Sequence, residues 1–157
     1  MLWARVERQR AEQDPLTGLP NRRGLARAWA GRPAGWRLHV VDLRGFKQVN
    51  DRLGHPAGDR VLRRFARALG SEARPGTVAR IGGDEFALLL EGTADPAPAV
   101  ARALGATGAE GLGFWIGTAP EAATRLDAAL SQAFADLRAR RARVQTGFNR
   151  KESHAVA

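Results

Sequence analysis

Between Val78 and Leu90 the chain reads VARIGGDEFALLL, and this stretch limits the possible folds more than any other. Two apolar runs, one carrying the β-branched Val78 and Ile81 and the other running from Phe86 to Leu90, are separated by Gly82-Gly83 and two acids. Such runs around a glycine pair predict a β-hairpin, with glycine supplying the positive φ of a two-residue primed turn. Asp84 and Glu85 follow the turn directly. With little side-chain bulk beside them, a phosphate or a metal could approach backbone and acids together. Alone, the string would better suit a surface hairpin with solvated acids, because it is short and acids are common at turns, so its meaning depends on the rest of the chain.

The 157 residues are enough for one domain with a real core, and 44% apolar against 26% charged content argues for a globular chain. Absence of cysteine removes disulfides and thiolate metal sites. No run of 18 apolar residues occurs and the first 13 residues are too charged for a signal peptide, so a cytoplasmic location without a membrane segment is expected. The net charge of +9 comes almost wholly from arginine. It suits polyanionic partners, although a codon preference for Arg and Ala in a GC-rich genome accounts for the larger share.

Residues 1–13 read as an amphipathic helix with Leu2, Trp3 and Val6 among Arg5, Glu7, Arg8, Arg10 and Glu12. A helix this short is marginal alone, so it either packs on its own domain or pairs with a second copy. Two prolines and a glycine in Asp14 to Arg23 break it, and Asn21 is the expected N-cap of a helix from about Arg22 to Ala30. Trp36 to Leu43 predicts a buried strand ending near Asp42. A short helix follows over residues 45–51, a turn over 53–58, and an amphipathic helix from Asp59 to Leu69 with Val61, Leu62, Phe65 and Leu69 on one face. Beyond the hairpin, a helix is expected over Ala94 to Leu104, a strand over Gly111 to Gly117 and a longer helix from Ala123 to about Val144. A last edge strand is expected over Gln145 to Phe148 and a frayed tail over 149–157. The order predicts an α+β fold: a palm-like sheet with a ferredoxin-like core, antiparallel or mixed, covered by helices.

In such a sheet the strand ending at Asp42 and the hairpin tip are natural neighbours, which would gather Asp42, Asp84 and Glu85. Crowded acids raise one another's pKa unless a cation sits among them. Hard oxygen donors without Cys or clustered His select Mg2+ or Mn2+, and magnesium normally arrives with substrate phosphates. The residues therefore point to two-metal phosphoryl or nucleotidyl transfer on a nucleoside triphosphate. Asp42 as a cap on the following helix is the competing explanation.

Four blocks in order, DPLTGLPNRR at Asp14 to Arg23, DLRGFKQVND at Asp42 to Asp51, GHPAGDRVL at Gly54 to Leu62 and RIGGDEF at Arg80 to Phe86, make the chain resemble the GGDEF domain of diguanylate cyclases. The resemblance covers the first two-thirds of the chain and is far more specific than the hairpin string alone. It implies condensation of two GTP into cyclic di-GMP across a homodimer. It also implies that Asp42, Glu85 and the carbonyl of Leu43 hold metal, with Asp84 a further ligand or the base for the ribose 3′-hydroxyl. Asn50 and Asp59 would read the guanine edge; without the resemblance they would pass for helix caps. Phe46 and Lys47 would flank the triphosphate, near Gly82 and Gly83, and Arg141 falls near the family's C-terminal lysine. His55 is expected to hold its turn.

The chain departs from the family pattern at several places. Arg44 stands where an acid or small polar residue is usual, and Ala73-Arg74-Pro75-Gly76 replaces the inhibitory RxxD. The segment after the hairpin is short, Trp115 replaces a customary serine, and the last helix lacks the ADxAxYxAK signature. The expected layout is an N-terminal helix at 1–13, a GGDEF domain at 14–148 and a tail at 149–157. The leading expectation is a homodimeric diguanylate cyclase without RxxD feedback. The alternative is a weakly active or inactive GGDEF domain serving as a GTP-binding or protein-interaction module. Nucleic-acid binding ranks last, because few aromatics interleave the basic residues.

Overall fold

The computed structural model describes residues 10–152 without a break, together with Trp3 and Glu7, and side chains through Gln145. Leu2, Arg5, Val6 and Arg8 of the N-terminal amphipathic pattern lie outside the described residues, as does the tail over 153–157. Trp3, Glu7 and Arg10 are helical, and Trp3 is 79% exposed.

The elements run α1 (Arg22–Ala30), β1 (Trp36–Arg44), α2 (Phe46–Leu53), α3 (His55–Glu72), β2 (Thr77–Arg80), β3 (Glu85–Glu91), α4 (Ala97–Gly105), β4 (Gly113–Thr118) and α5 (Leu126–Glu152). The four strands form one sheet in the order β2-β3-β1-β4, antiparallel at every pairing. From β1 onward this is the βαββαβ ferredoxin-like arrangement.

Alternation along β1 divides the core. Val41 and Leu43 face Val61, Leu62, Phe65, Val100 and Ala103 of α3 and α4, while Leu38 and Val40 face Leu25 and Trp29 of α1 and Leu130 and Leu137 of α5. Asp42 shares the second face. Asn21 caps α1 as expected, accepting from the amides of Arg23 and Gly24.

Three local expectations change. First, α3 begins at His55, because Pro56 is compatible with a first helical turn, so residues 55–58 belong to the helix and not to a turn. Second, α5 continues through Gln145 to Phe148, so no edge strand forms there. Third, the hairpin connection is Gly82-Gly83-Asp84, closed by the amides of Ile81 and Gly82 donating to the Glu85 carbonyl at 3.0 and 3.3 Å. Neither glycine lies in the left-handed region. Gly82 lies under the Glu85 side chain: a Cβ there would stand 2.5 Å from Glu85 Oε2 and displace the carboxylate.

His39 of β1 is 3% exposed. Its Nδ1 shares a 2.9 Å hydrogen bond with Thr118 Oγ1, and its Nε2 has no partner. Burial first, then the charges of Arg37 and Arg140 outweighing Asp95, push its pKa down to about 4. The ring is therefore neutral in the fold, while the unfolded chain takes up a proton as pH falls below about 6.5. Stability should fall as pH drops from about 6.5 toward 4, by about 2 kcal/mol at pH 5. Urea titrations of the parent and of His39→Gln at pH 7 and pH 5 check this. An equal pH response in both chains would remove His39 as the cause.

Candidate functional site

The acids meet at one end of the sheet because strand register puts them there. Asp42 lies directly opposite Glu85 on β3 and Trp115 on β4. The Leu43 amide donates to the Asp84 carbonyl at 3.1 Å, which ties the hairpin tip to β1. Burial, reinforced by the charges of Asp84 and Glu85, pushes the Asp42 pKa up to about 6, while Arg141 of α5 pulls it the other way. The last helix thus delivers Arg141 to the same electrostatic neighbourhood as the acids.

Among the described residues no three His, Cys, Asp or Glu side chains already converge as a metal cage. The donor chemistry nevertheless fits a hard divalent cation: carboxylates from the adjacent strands β1 and β3 and from the turn that joins β2 to β3, where burial and mutual repulsion raise the Asp42 pKa. Asp84 and Glu85 are only partly buried, which leaves their side chains free to close around an ion.

One arginine holds the tip. Arg80 Nε donates to the carbonyls of Gly82 and Gly83, each at 3.1 Å, and its Nη2 donates to Gly83 at 2.8 Å. Its Nη1 donates to both carboxylate oxygens of Asp14, at 3.2 and 3.1 Å. Asp14 also accepts from the Thr17 amide and hydroxyl at 2.8 and 2.7 Å. The Arg80 and Asp14 side chains are 14% and 17% exposed, so this pair is largely withdrawn from water. Despite burial, the bonds from Thr17 and Arg80 hold the Asp14 carboxyl below its ordinary pKa. Neither residue stood out in the sequence beyond membership of its block; their only signal was one unexplained charge in each of two motifs 66 positions apart.

A second polar feature lies where α2 and α3 meet. Asn50 Oδ1 is buried without a partner. It rests against Gly58, where a Cβ would collide with it and would stand 3.1 Å from the Phe46 ring. Asp59 follows Gly58 and is half-buried. A buried acceptor against Gly58 with no donor from this chain leaves a hydrogen-bonding demand that a group rich in N–H donors would meet. Phe46 is a core residue, 8% exposed. Lys47 is exposed and pairs with Asp51 at 2.7 Å. His55 is exposed at the start of α3. Arg44 lies on the Asp42 face of β1 but crosses Gly113 toward the Trp115 ring, 6.0 Å from its centroid.

A family model for the diguanylate cyclase GGDEF domain matches residues 11–108. The chain belongs to the GGDEF-domain family. Among its relatives, diguanylate cyclase DgcP of Pseudomonas aeruginosa is 44% identical over 95 residues, covering 55% of this chain and 14% of DgcP. The chain therefore spans a small part of that relative's length. The isolated GGDEF domain of TpbB from the same organism superposes with a TM-score of 0.62 at 36% identity, covering 80% of this chain and 86% of that one. The coiled coil and GGDEF domain of DgcB from Caulobacter crescentus, solved with c-di-GMP, superposes at 0.64 with 30% identity, covering 88% of this chain and 85% of that one. The ferredoxin-like sheet is thus that of other GGDEF domains. Among the described residues, no helix is long and apolar enough to cross a membrane.

Proposed function

We propose that this GGDEF domain is a diguanylate cyclase that joins two GTP into cyclic di-GMP with release of two pyrophosphates, working as a pair of identical chains. The observation that carries the reading is the register pairing of Asp42 with Glu85, with Asp84 beside them at the same sheet end. In this reading Asp42, Glu85 and the Leu43 carbonyl hold Mg2+ or Mn2+, with Asp84 either a further ligand or the acceptor of the 3′-hydroxyl proton. The metal, when bound, supplies charge stabilisation at the phosphate and a more acidic hydroxyl.

The chain's own residues orient the nucleotide. Asn50 and Asp59 take the guanine edge, Gly82 and Gly83 leave room for phosphate, and Lys47 and Arg141 offset its charge. Each 3′-oxygen forms a bond to the α-phosphorus of the GTP on the partner copy as the bond to pyrophosphate breaks. Ala73-Arg74-Pro75-Gly76 offers no RxxD, so product feedback by that route is not expected.

Incubation of the purified chain with GTP and MgCl2, followed by separation of the nucleotides, tests the reading. Cyclic di-GMP is expected from the parent and not from Glu85→Ala. GTP recovered intact after long incubation, yet bound, would leave a GTP-holding module instead.

The guanine notch gives a milder variant. Gly58→Ala places a methyl against Asn50 Oδ1 and should weaken GTP binding about tenfold, a cost of one good polar contact. Alanine gains up to about 1 kcal/mol of helix propensity over glycine at the same position. That gain offsets only part of the overpacking against Asn50 and the Phe46 ring, about 1–3 kcal/mol, so equilibrium binding of GTP is read well below the melting temperature found in a parallel thermal melt. Undiminished affinity would take the guanine away from this notch.

A further inference from the structure

We propose that the outer face of α3 carries a second anion site, apart from the sheet-end acids, which takes a small ligand bearing two or more linked phosphates. Arg60, Arg63, Arg64 and Arg67 stand at helical spacings of three and four residues and line one side of a cavity of about 550 Å³. No acid lines that cavity. Like charges at these spacings disfavour a helix, so the arrangement calls for a counter-charge.

Five arginines elsewhere in the chain have one. Arg22, Arg27, Arg80, Arg102 and Arg140 each meet a carboxylate. Among the described residues no ion pair involves any of the four on α3. Arg64 is tied to the end of α4: its Nη1 donates to the Thr107 carbonyl at 3.2 Å, and the buried Thr107 hydroxyl donates to the Leu104 carbonyl at 2.7 Å. Ala68 and Ala106 give the cavity an apolar floor, with the Ser71 hydroxyl at one end.

The ligand class follows from shape and from what borders the patch. Planar guanidinium forks match phosphate oxygens in pairs. From Arg60 to Arg67 the strip is about 10 Å long at the helical rise, which suits a short polyphosphate. Asp59 precedes it, and Glu72, paired with Arg102 at 2.7 Å, follows it. A groove for nucleic acid would continue its positive charge along the strand; here the four arginines that line the cavity sit on one helix within about 10 Å. The cavity volume lies within the range of small-ligand sites.

Calorimetric titration of the full chain with inorganic triphosphate, in EDTA and at constant ionic strength, tests the site. Saturable 1:1 binding is expected, weakened about tenfold or more in Arg63→Gln/Arg67→Gln through loss of paired guanidinium contacts, and unchanged in Asp42→Asn. A melt of the double variant confirms that it folds. The proposal is overturned if the parent shows no saturable binding, or if the double variant binds like the parent. It is equally overturned if Asp42→Asn loses the binding, or if sodium sulfate at the same ionic strength displaces triphosphate equally well. Tighter binding of a single-stranded oligonucleotide, with a steep salt dependence, would make the face a nucleic-acid surface instead.

Discussion

Asp42→Asn is expected to be more stable than the parent in the absence of metal, to gain no stability from magnesium, and to form no detectable cyclic di-GMP. The reason is the environment of Asp42, whose carboxyl is pushed up to about 6 by burial and by Asp84 and Glu85. A carboxylate with a raised folded pKa contributes stability that is complete below its unfolded value of about 4 and is lost as pH rises toward 6. At pH 7.5 the ionised Asp42 then costs the metal-free fold about 2 kcal/mol, allowing for its partial exposure. Asparagine removes that cost together with the ligand. Thermal melts of both chains in EDTA and in MgCl2 provide a readout independent of turnover. If the variant melts lower than the parent in EDTA, or if magnesium raises both melting temperatures equally, Asp42 is not the strained metal ligand.

This window of pH coincides with that of His39 and has the opposite sign. Between about pH 4 and 6.5 the parent loses stability from Asp42 as pH rises and gains it from the neutral, buried His39. The metal-free parent should therefore have a flatter acid profile than Asp42→Asn, in which the His39 slope stands alone. Urea titrations of the parent, His39→Gln and Asp42→Asn in EDTA across this pH range measure both contributions.

How much of this was legible in the sequence depended on the kind of residue. Apolar period gave the strands and helices, and with them the sheet, because burial on two faces must recur at fixed spacing. The convergence of Asp42 with Glu85 followed once the strand and the hairpin were recognised as neighbours. What the sequence did not reveal were properties of backbone geometry and long-range pairing. Gly82-Gly83 suggested a tight primed turn, whereas the connection includes Asp84, and Gly82 makes room for the Glu85 carboxylate. Gly58 appeared as part of a loop, although it sits inside the first turns of α3 and leaves space for Asn50. The residues 145–148 have no apolar pattern strong enough to choose between an edge strand and continuation of the preceding helix, and α5 continued.

Arg80→Ala should be the most destabilising single change near the site, by about 3 kcal/mol or more. The guanidinium is largely withdrawn from water and satisfies the carbonyls of Gly82 and Gly83 together with both oxygens of Asp14. Its removal leaves the largely buried Asp14 carboxylate without a counter-charge, held by Thr17 alone, and frees the tip that carries Asp84 and Glu85. Domains of this size have about 5–15 kcal/mol in total, so the variant remains folded with a reduced margin. Asp14→Ala should cost less, because Arg80 keeps its two carbonyl acceptors, and the double variant should cost clearly less than the sum, since both singles break one pair. Arg80→Lys separates positioning from folding. A lysine restores the charge beside Asp14 but has no planar fork to bridge the carboxylate and two carbonyls at once. It should recover most of the urea stability while turnover stays at least about tenfold down, the scale of a misplaced reacting group. Strict additivity of Arg80→Ala and Asp14→Ala, or full turnover in Arg80→Lys, would show that the hairpin tip holds its acids without this clamp.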